Sequence, residues 1–157
     1  MQKNKIKLNT NSGFTLVELL VVIAIIGLLS TLGQAAYGNA KAKARDAARM
    51  SDVKSFQKAL QMYHSDKEAY PIVDPAIILG ETAHKCMDES ATAFNAEGTC
   101  AGDALLVVIP PDPLPTQNYT YFSTDGITYS IVFTLEGTVE GYSGLCTMAE
   151  TGNITCI

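Results

Sequence analysis

Tryptophan is absent from this chain of 157 residues, and histidine occurs only at His64 and His84. Neither histidine stands in a His-Glu-x-x-His pattern, and the Gly-x-Ser-x-Gly, P-loop and dinucleotide-binding fingerprints are missing too. Those absences remove the recognisable metallohydrolase, serine hydrolase and nucleotide-dependent classes, and the chain reads as non-enzymatic. No Cys-x-x-Cys occurs, and His84-Lys85-Cys86 is a poor zinc signature. Charge is scarce in one place: from Phe14 to Ala40 the only charged side chain is Glu18. No cysteine precedes Cys86, and neither proline nor glycine interrupts residues 41–66.

What is present begins with that apolar span. Its 27 residues exceed the roughly 20 that carry a helix across a bilayer. A short basic leader with Lys3, Lys5 and Lys7 precedes it and ends in Ser12-Gly13. A secretory signal places its small-residue cut site after an apolar core of about 7–15 residues. Here the small residue stands in front of the apolar run, so a cut after Gly13 keeps the greasy segment on the 144-residue product. It also leaves a free amine on Phe14, four residues before the Glu18 carboxylate.

The net charge of −5 conceals a strong polarity. Residues 41–66 carry +3, whereas the chain from Lys67 onward carries −10. A basic stalk therefore leads into an acidic head, which would repel a phosphate backbone, so no nucleic-acid binding by the head is expected. The four cysteines, Cys86, Cys100, Cys146 and Cys156, all lie beyond the apolar span, and an even number in an exported region points to disulfides. Three connectivities exist. Cys86–Cys100 and Cys146–Cys156 are favoured because each closes a short loop, and a 15-residue closure contributes about 3 kcal/mol on the chain-entropy account.

Helix formers dominate residues 41–66, and Ala47, Met50, Val53, Phe56, Leu60 and Tyr63 recur every three or four positions along one face, with Lys and Arg on the other. One helix is thus expected from Phe14 to about Asp66, roughly 80 Å long at 1.5 Å per residue. Its first half must find lipid or other copies of itself. Ala69-Tyr70-Pro71 stops it, because the residue before proline is pushed toward extended geometry. Short helices are expected near Pro75–Leu79 and Glu89–Asn95, with an apolar segment at Leu105–Ile109. The run Pro110-Pro111-Asp112-Pro113-Leu114-Pro115 forms a rigid extended loop. Tyr119–Thr124 and Thr128–Leu135 alternate about Asp125-Gly126 as a hairpin, with Tyr129, Ile131, Phe133 and Leu135 facing inward. A third strand is expected at Thr138–Tyr142. The fold class is α+β: a long N-terminal helix, transmembrane in its first half, whose distal half packs on a small antiparallel sheet. The organisation is 1–13 leader, 14–40 membrane or filament-core helix, 41–70 distal amphipathic helix and 71–157 acidic head.

The junction Gly13-Phe14-Thr15-Leu16-Val17-Glu18, continued by Leu19-Leu20-Val21-Val22-Ile23-Ala24-Ile25-Ile26-Gly27, resembles the type IV pilin and pseudopilin family. The stretch from Arg49-Met50-Ser51-Asp52 to Tyr70-Pro71 resembles it too, and the Asp-Pro loop followed by a hairpin is similar to the head of the major pseudopilin of type II secretion. The resemblance implies cleavage after Gly13 by the prepilin peptidase, N-methylation of Phe14, and a role for Glu18 in neutralising the N-terminal amine of a neighbouring subunit. It implies a homopolymer, other pilin-like subunits, an assembly platform and the membrane as partners. The chain would sit in the cytoplasmic membrane with the leader inside and the head exported, then join a filament at the cell surface or in the periplasm. No cofactor is expected except calcium, which the major pseudopilins bind in the head, and Asp112 and Asp125 occupy comparable parts of this chain. Many pilins carry a proline some twenty residues into the mature helix, where this chain has Ala35 between Gly33 and Gly38. Pilus and pseudopilus stay open as alternatives. The rival from another class is a solitary membrane-anchored binding module, an adhesin or receptor that does not polymerise.

Overall fold

The structure is a computed structural model that describes residues 13–100 and 104–157, with nothing taken from the side chains of Leu32 and Ala35. The leader cations Lys3, Lys5 and Lys7 lie outside the described residues. The chain divides into two units, Met1–Asn39 and Ala40–Ile157. Helix α1 runs from Leu16 to Lys67, 52 residues. In the first unit every side chain described is exposed, including Leu16, Leu19, Ile23, Ile26 and Leu29, so the apolar surface goes right round the helix. A helix apolar on all sides belongs in lipid or in a protein core. This one has the length and hydropathy of a membrane span. The Ser30 hydroxyl donates to the Ile26 carbonyl at 2.8 Å, and Thr31 donates likewise to Leu28, which removes two polar groups from that surface.

In the second unit α1 buries one stripe made of Met50, Val53, Phe56, Ala59, Leu60 and Tyr63. Ala47, expected on the stripe, is exposed, and the first buried turn instead holds Asp46 and Arg49. The helix ends one turn before Pro71: Glu68 donates its N–H to the His64 carbonyl at 2.8 Å and takes a left-handed φ of 57°. That is an αL cap formed without glycine.

The stripe shares its core with two antiparallel sheets. The strands are β1 (Val73–Leu79), β2 (Cys86–Asp88), β3 (Phe94–Asn95), β4 (Ala104–Leu106), β5 (Tyr119–Ser123), β6 (Ser130–Val139), β7 (Tyr142–Ala149) and β8 (Ile154–Cys156). Five form one sheet in the order β1-β5-β6-β7-β8, and three form the other in the order β3-β2-β4. Tyr119, Tyr121, Tyr129, Ile131, Phe133 and Leu135 all point into the core, as period-two alternation requires. Phe56 meets Tyr119 edge-on with ring centroids 5.3 Å apart, and Tyr129 meets Tyr70 in the same way at 4.7 Å.

Several head elements differ from the sequence expectation, each for a local reason. Pro75–Leu79 is part of strand β1, not a helix. Proline can open a helix, but it is equally at home in an edge strand, where its missing N–H leaves no ladder position empty. β1 is such an edge, and its register with β5 shifts between Val73 and Ile77, across the proline. Glu89–Asn95 is also not helical. The Asp88 carboxylate accepts the Ser90 N–H at 2.9 Å and the Asn95 side-chain amide at 3.0 Å, turning the chain from β2 into β3. The connection at Asp125-Gly126 is wider than a two-residue turn. Asp125 accepts the N–H groups of Ile127 and Thr128, while the carbonyl of Gly126 (φ 68°) accepts the Tyr70 N–H at 2.7 Å. The third strand starts later than expected, at Tyr142. Glu136-Gly137 continues β6, and the tight turn is Glu140-Gly141, both at positive φ. Strand β8 was not expected at all.

Two disulfides close the head. Cys86–Cys100 ties the start of β2 to the segment after β3, and Cys146–Cys156 joins β7 to β8 across directly paired positions. Phe133 is fully buried at the centre of β6. Phe133→Ala is expected to cost about 3–5 kcal/mol of head stability in chemical denaturation. A loss under about 1 kcal/mol would contradict this packing.

Candidate processing and assembly site

At the start of α1 the sequence Thr15-Leu16-Val17-Glu18 forms a capping box. The Glu18 Oε2 accepts the Thr15 backbone N–H at 2.8 Å and the Thr15 hydroxyl at 2.7 Å, while Thr15 Oγ1 accepts the Glu18 N–H at 3.3 Å. The reciprocal pattern satisfies donors that a helix N-terminus otherwise leaves open. Among the described residues the second carboxylate oxygen, Oε1, receives no hydrogen bond. Gly13 precedes the helix in non-helical geometry and has nothing within 4 Å of where a Cβ would sit. Phe14 is 78% exposed. Among the described residues nothing crowds the Gly13–Phe14 bond, and Glu18, the one carboxylate of residues 14–40, stands at the first turn of the helix.

In the head, polar groups converge on Arg49, which is fully buried. Its Nε and Nη2 donate to the two oxygens of Asp112, each at 2.8 Å. Its Nη1 donates to Asp46 Oδ1 at 2.7 Å and to Glu136 Oε1 at 2.8 Å. Arg45 adds a second fork onto Glu136, with Nε at 2.6 Å from Oε1 and Nη2 on Oε2. The Asp46 carboxylate also accepts the N–H groups of Glu136 and Gly137, at 2.9 and 2.8 Å. Those two bonds sit where the β6–β7 register shifts, between Leu135 and Val139. Asp112 further accepts the Leu114 N–H at 2.7 Å, which bends the proline-rich loop. Gly80 (φ 82°) meets that loop closely, since a Cβ there would lie 2.7 Å from the Pro110 carbonyl oxygen. One guanidinium thus joins the helix, the proline loop and the β6–β7 hairpin.

Residues 8–33 match the prokaryotic N-terminal methylation motif. Among curated proteins, the type II secretion system core protein G of Pectobacterium carotovorum subsp. carotovorum is 38% identical over 105 residues, 67% of this chain and 63% of that protein. The protein of the same name from Aeromonas hydrophila is 36% identical over 77 residues, 49% of this chain and 50% of that one. Fimbrial protein EcpC of Eikenella corrodens is 33% identical over 72 residues, 46% of this chain and 47% of its own length. The motif and these relatives support membership of the type IV pilin and pseudopilin family. The chain spans from about half to just under two thirds of the length of these relatives. No solved structure matches it.

Read as a pilin, the chain separates its predicted site residues into three places. Gly13, Phe14 and Glu18 lie together at the helix start. The four cysteines pair within the head. Asp112 and Asp125, named as calcium candidates, are used differently from each other: Asp112 is buried against Arg49, and Asp125 caps its own turn. No group of three or more His, Cys, Asp or Glu side chains with metal-binding geometry occurs among the described residues. Sequence reasoning missed Asp46, Arg49 and Glu136 as a unit, and it had placed Arg49 on the solvated side of the helix. The local signal was Asp46-x-x-Arg49, an acid–base pair one turn apart beside Arg45.

Glu136 makes the stability of this cluster depend on pH. The hydrogen bonds from Arg45, opposed by desolvation and joined by that from Arg49, pull the Glu136 carboxyl down from the ordinary 4.5 to about 2. A depressed folded-state value adds stability above the unfolded value, and that stability drains away as pH falls from 4.5 through about 2. Burial raises the Asp52 carboxyl, against the hydrogen bond that Tyr119 donates to it, so Asp52 acts in the opposite sense. Denaturation midpoints should therefore fall less steeply for Glu136→Gln than for the wild type between pH 4.5 and 2. Parallel profiles would remove Glu136 from the account.

Proposed function

We propose that this chain is a structural subunit of a pseudopilus of the type II secretion kind or of a type IV pilus, cut after Gly13, methylated on Phe14 and polymerised through its N-terminal helix. The observation that carries the reading is Gly13-Phe14-Thr15-Leu16-Val17-Glu18 standing directly before an apolar helix whose described side chains are all exposed. The relatives named type II secretion system core protein G favour the pseudopilus. In this reading the subunit waits in the cytoplasmic membrane, leader inside and acidic head exported. Prepilin peptidase removes the leader, and the assembly platform passes the subunit into a filament with its own copies and other pilin-like subunits.

Thr15 and Glu18 give that passage a physical basis. A carboxylate in an apolar setting costs a few kcal/mol unless it is satisfied. The capping box satisfies one oxygen within the chain and leaves Oε1 for an ammonium. Cleavage creates such an ammonium on Phe14, and a neighbouring subunit's amine pairs with Oε1 when the two are in register. Lipid contacts are then exchanged for helix–helix contacts, with the charge pair setting the register.

Shearing cells that express the protein tests this. The wild type should come off in high-mass particles, whereas an anchored monomer stays with the membrane. Glu18→Ala should still be cut at Gly13, with filament yield down by about tenfold or more, since the pair is asked for a few kcal/mol. Normal yield from Glu18→Ala would contradict the proposal.

A further inference from the structure

We infer that the head of this protein is held by an internal cation, the Arg49 guanidinium, in place of the calcium ion expected from its resemblance to major pseudopilins. The inference rests on the head geometry alone and survives if the assembly reading fails.

A calcium ion needs six to eight oxygen ligands at about 2.3–2.6 Å, mostly carboxylate and carbonyl. The two acids in the expected region do not offer them. Both oxygens of Asp112 take a hydrogen bond from the Arg49 fork, and one takes the Leu114 N–H as well. Its side chain is fully buried, and so is that of Arg49. Asp125 lies on the exposed turn and spends Oδ1 on the N–H groups of Ile127 and Thr128, with the Thr128 hydroxyl beside both oxygens. A metal at Asp112 would have to displace the guanidinium, and the positive charge of Arg49 would repel it.

Arg49 itself meets the requirements of a structural cation. Three carboxylates from distant parts of the chain, Asp46, Asp112 and Glu136, converge on it. Two of them are themselves buried, so they would repel each other in a low-dielectric setting without a central positive charge. The hydrogen bonds that Arg49 donates to Asp112 hold its guanidinium well above the ordinary arginine value, so the charge stays on at any pH the cell meets. The bidentate contact with Asp112 is specific to the planar fork, which an ammonium cannot copy. The result is a loop clamp whose cation cannot dissociate, dilute or be chelated.

Thermal unfolding of the full-length chain in detergent micelles tests this with calcium chloride and with EGTA as probes. The midpoints in excess calcium and in excess EGTA should agree within about 1 °C, against the 4–8 °C that a single kcal/mol moves in a small domain. A rise of several degrees with calcium, or a fall with EGTA, would overturn the inference. Arg49→Lys keeps the charge and loses the fork, and Arg49→Gln loses both. Each should lower the midpoint, Arg49→Gln by about 10 °C or more, because it leaves carboxylates buried and unpaired. An unchanged midpoint in both variants would also overturn it. The calcium and EGTA comparison is made on the wild type, so it decides the question even if Arg49→Gln does not fold.

Discussion

An apolar helix with no face turned to its own protein sets the terms for this molecule. From Leu16 to Asn39 the described side chains are exposed on every side, and most of them are Leu, Ile, Val or Ala. No soluble monomer tolerates such a surface, because burying apolar area is the main favourable term in folding and association. The segment needs an apolar environment, and lipid and a bundle of like helices are two that would serve. Its one carboxylate, Glu18, is placed where a helix start can hold it and where, on the proposed processing, a newly cut N-terminus would supply a cation. Membrane residence and filament assembly are thus two solutions to one problem of solvation.

The head answers a different need. It has a core of its own, built on the second half of α1. Only residues from about Met50 onward give the helix a buried stripe, and Asp46 and Arg49 close that stripe with charge rather than with a hydrophobic residue. A buried ion cluster is weak evidence of net stability, since hydrophobic replacements often do as well. What it adds is geometry: the Arg49 guanidinium donates to Asp112 in the proline loop and to Glu136 in β6 in one arrangement. Two disulfides add local closure to β2 and β8, strands of three residues each.

Much of this was legible in the residues. The leader junction, the apolar span and the stripe from Met50 to Tyr63 are periodic or ordered features, and local windows show them. The inward face of Tyr129, Ile131, Phe133 and Leu135 followed from strict alternation. The misreadings came where one residue serves two structures. Pro75 opens helices and also tolerates edge strands. Asp88, Ser90 and Asn95 can sit in a helix, but here they bond each other and turn the chain. Glu136-Gly137 looks like a turn, yet Asp46 holds its N–H groups and keeps it within β6. The Arg49 cluster showed locally only as Asp46-x-x-Arg49, because its other partners lie 63 and 87 residues away.

The most direct test is the intact mass of the protein isolated without reduction from cells that make it. The account predicts a chain beginning at Phe14, heavier by one methyl group and lighter by the four hydrogens that two disulfides remove. A chain still beginning at Met1 or Gln2 would contradict prepilin processing and with it the filament reading.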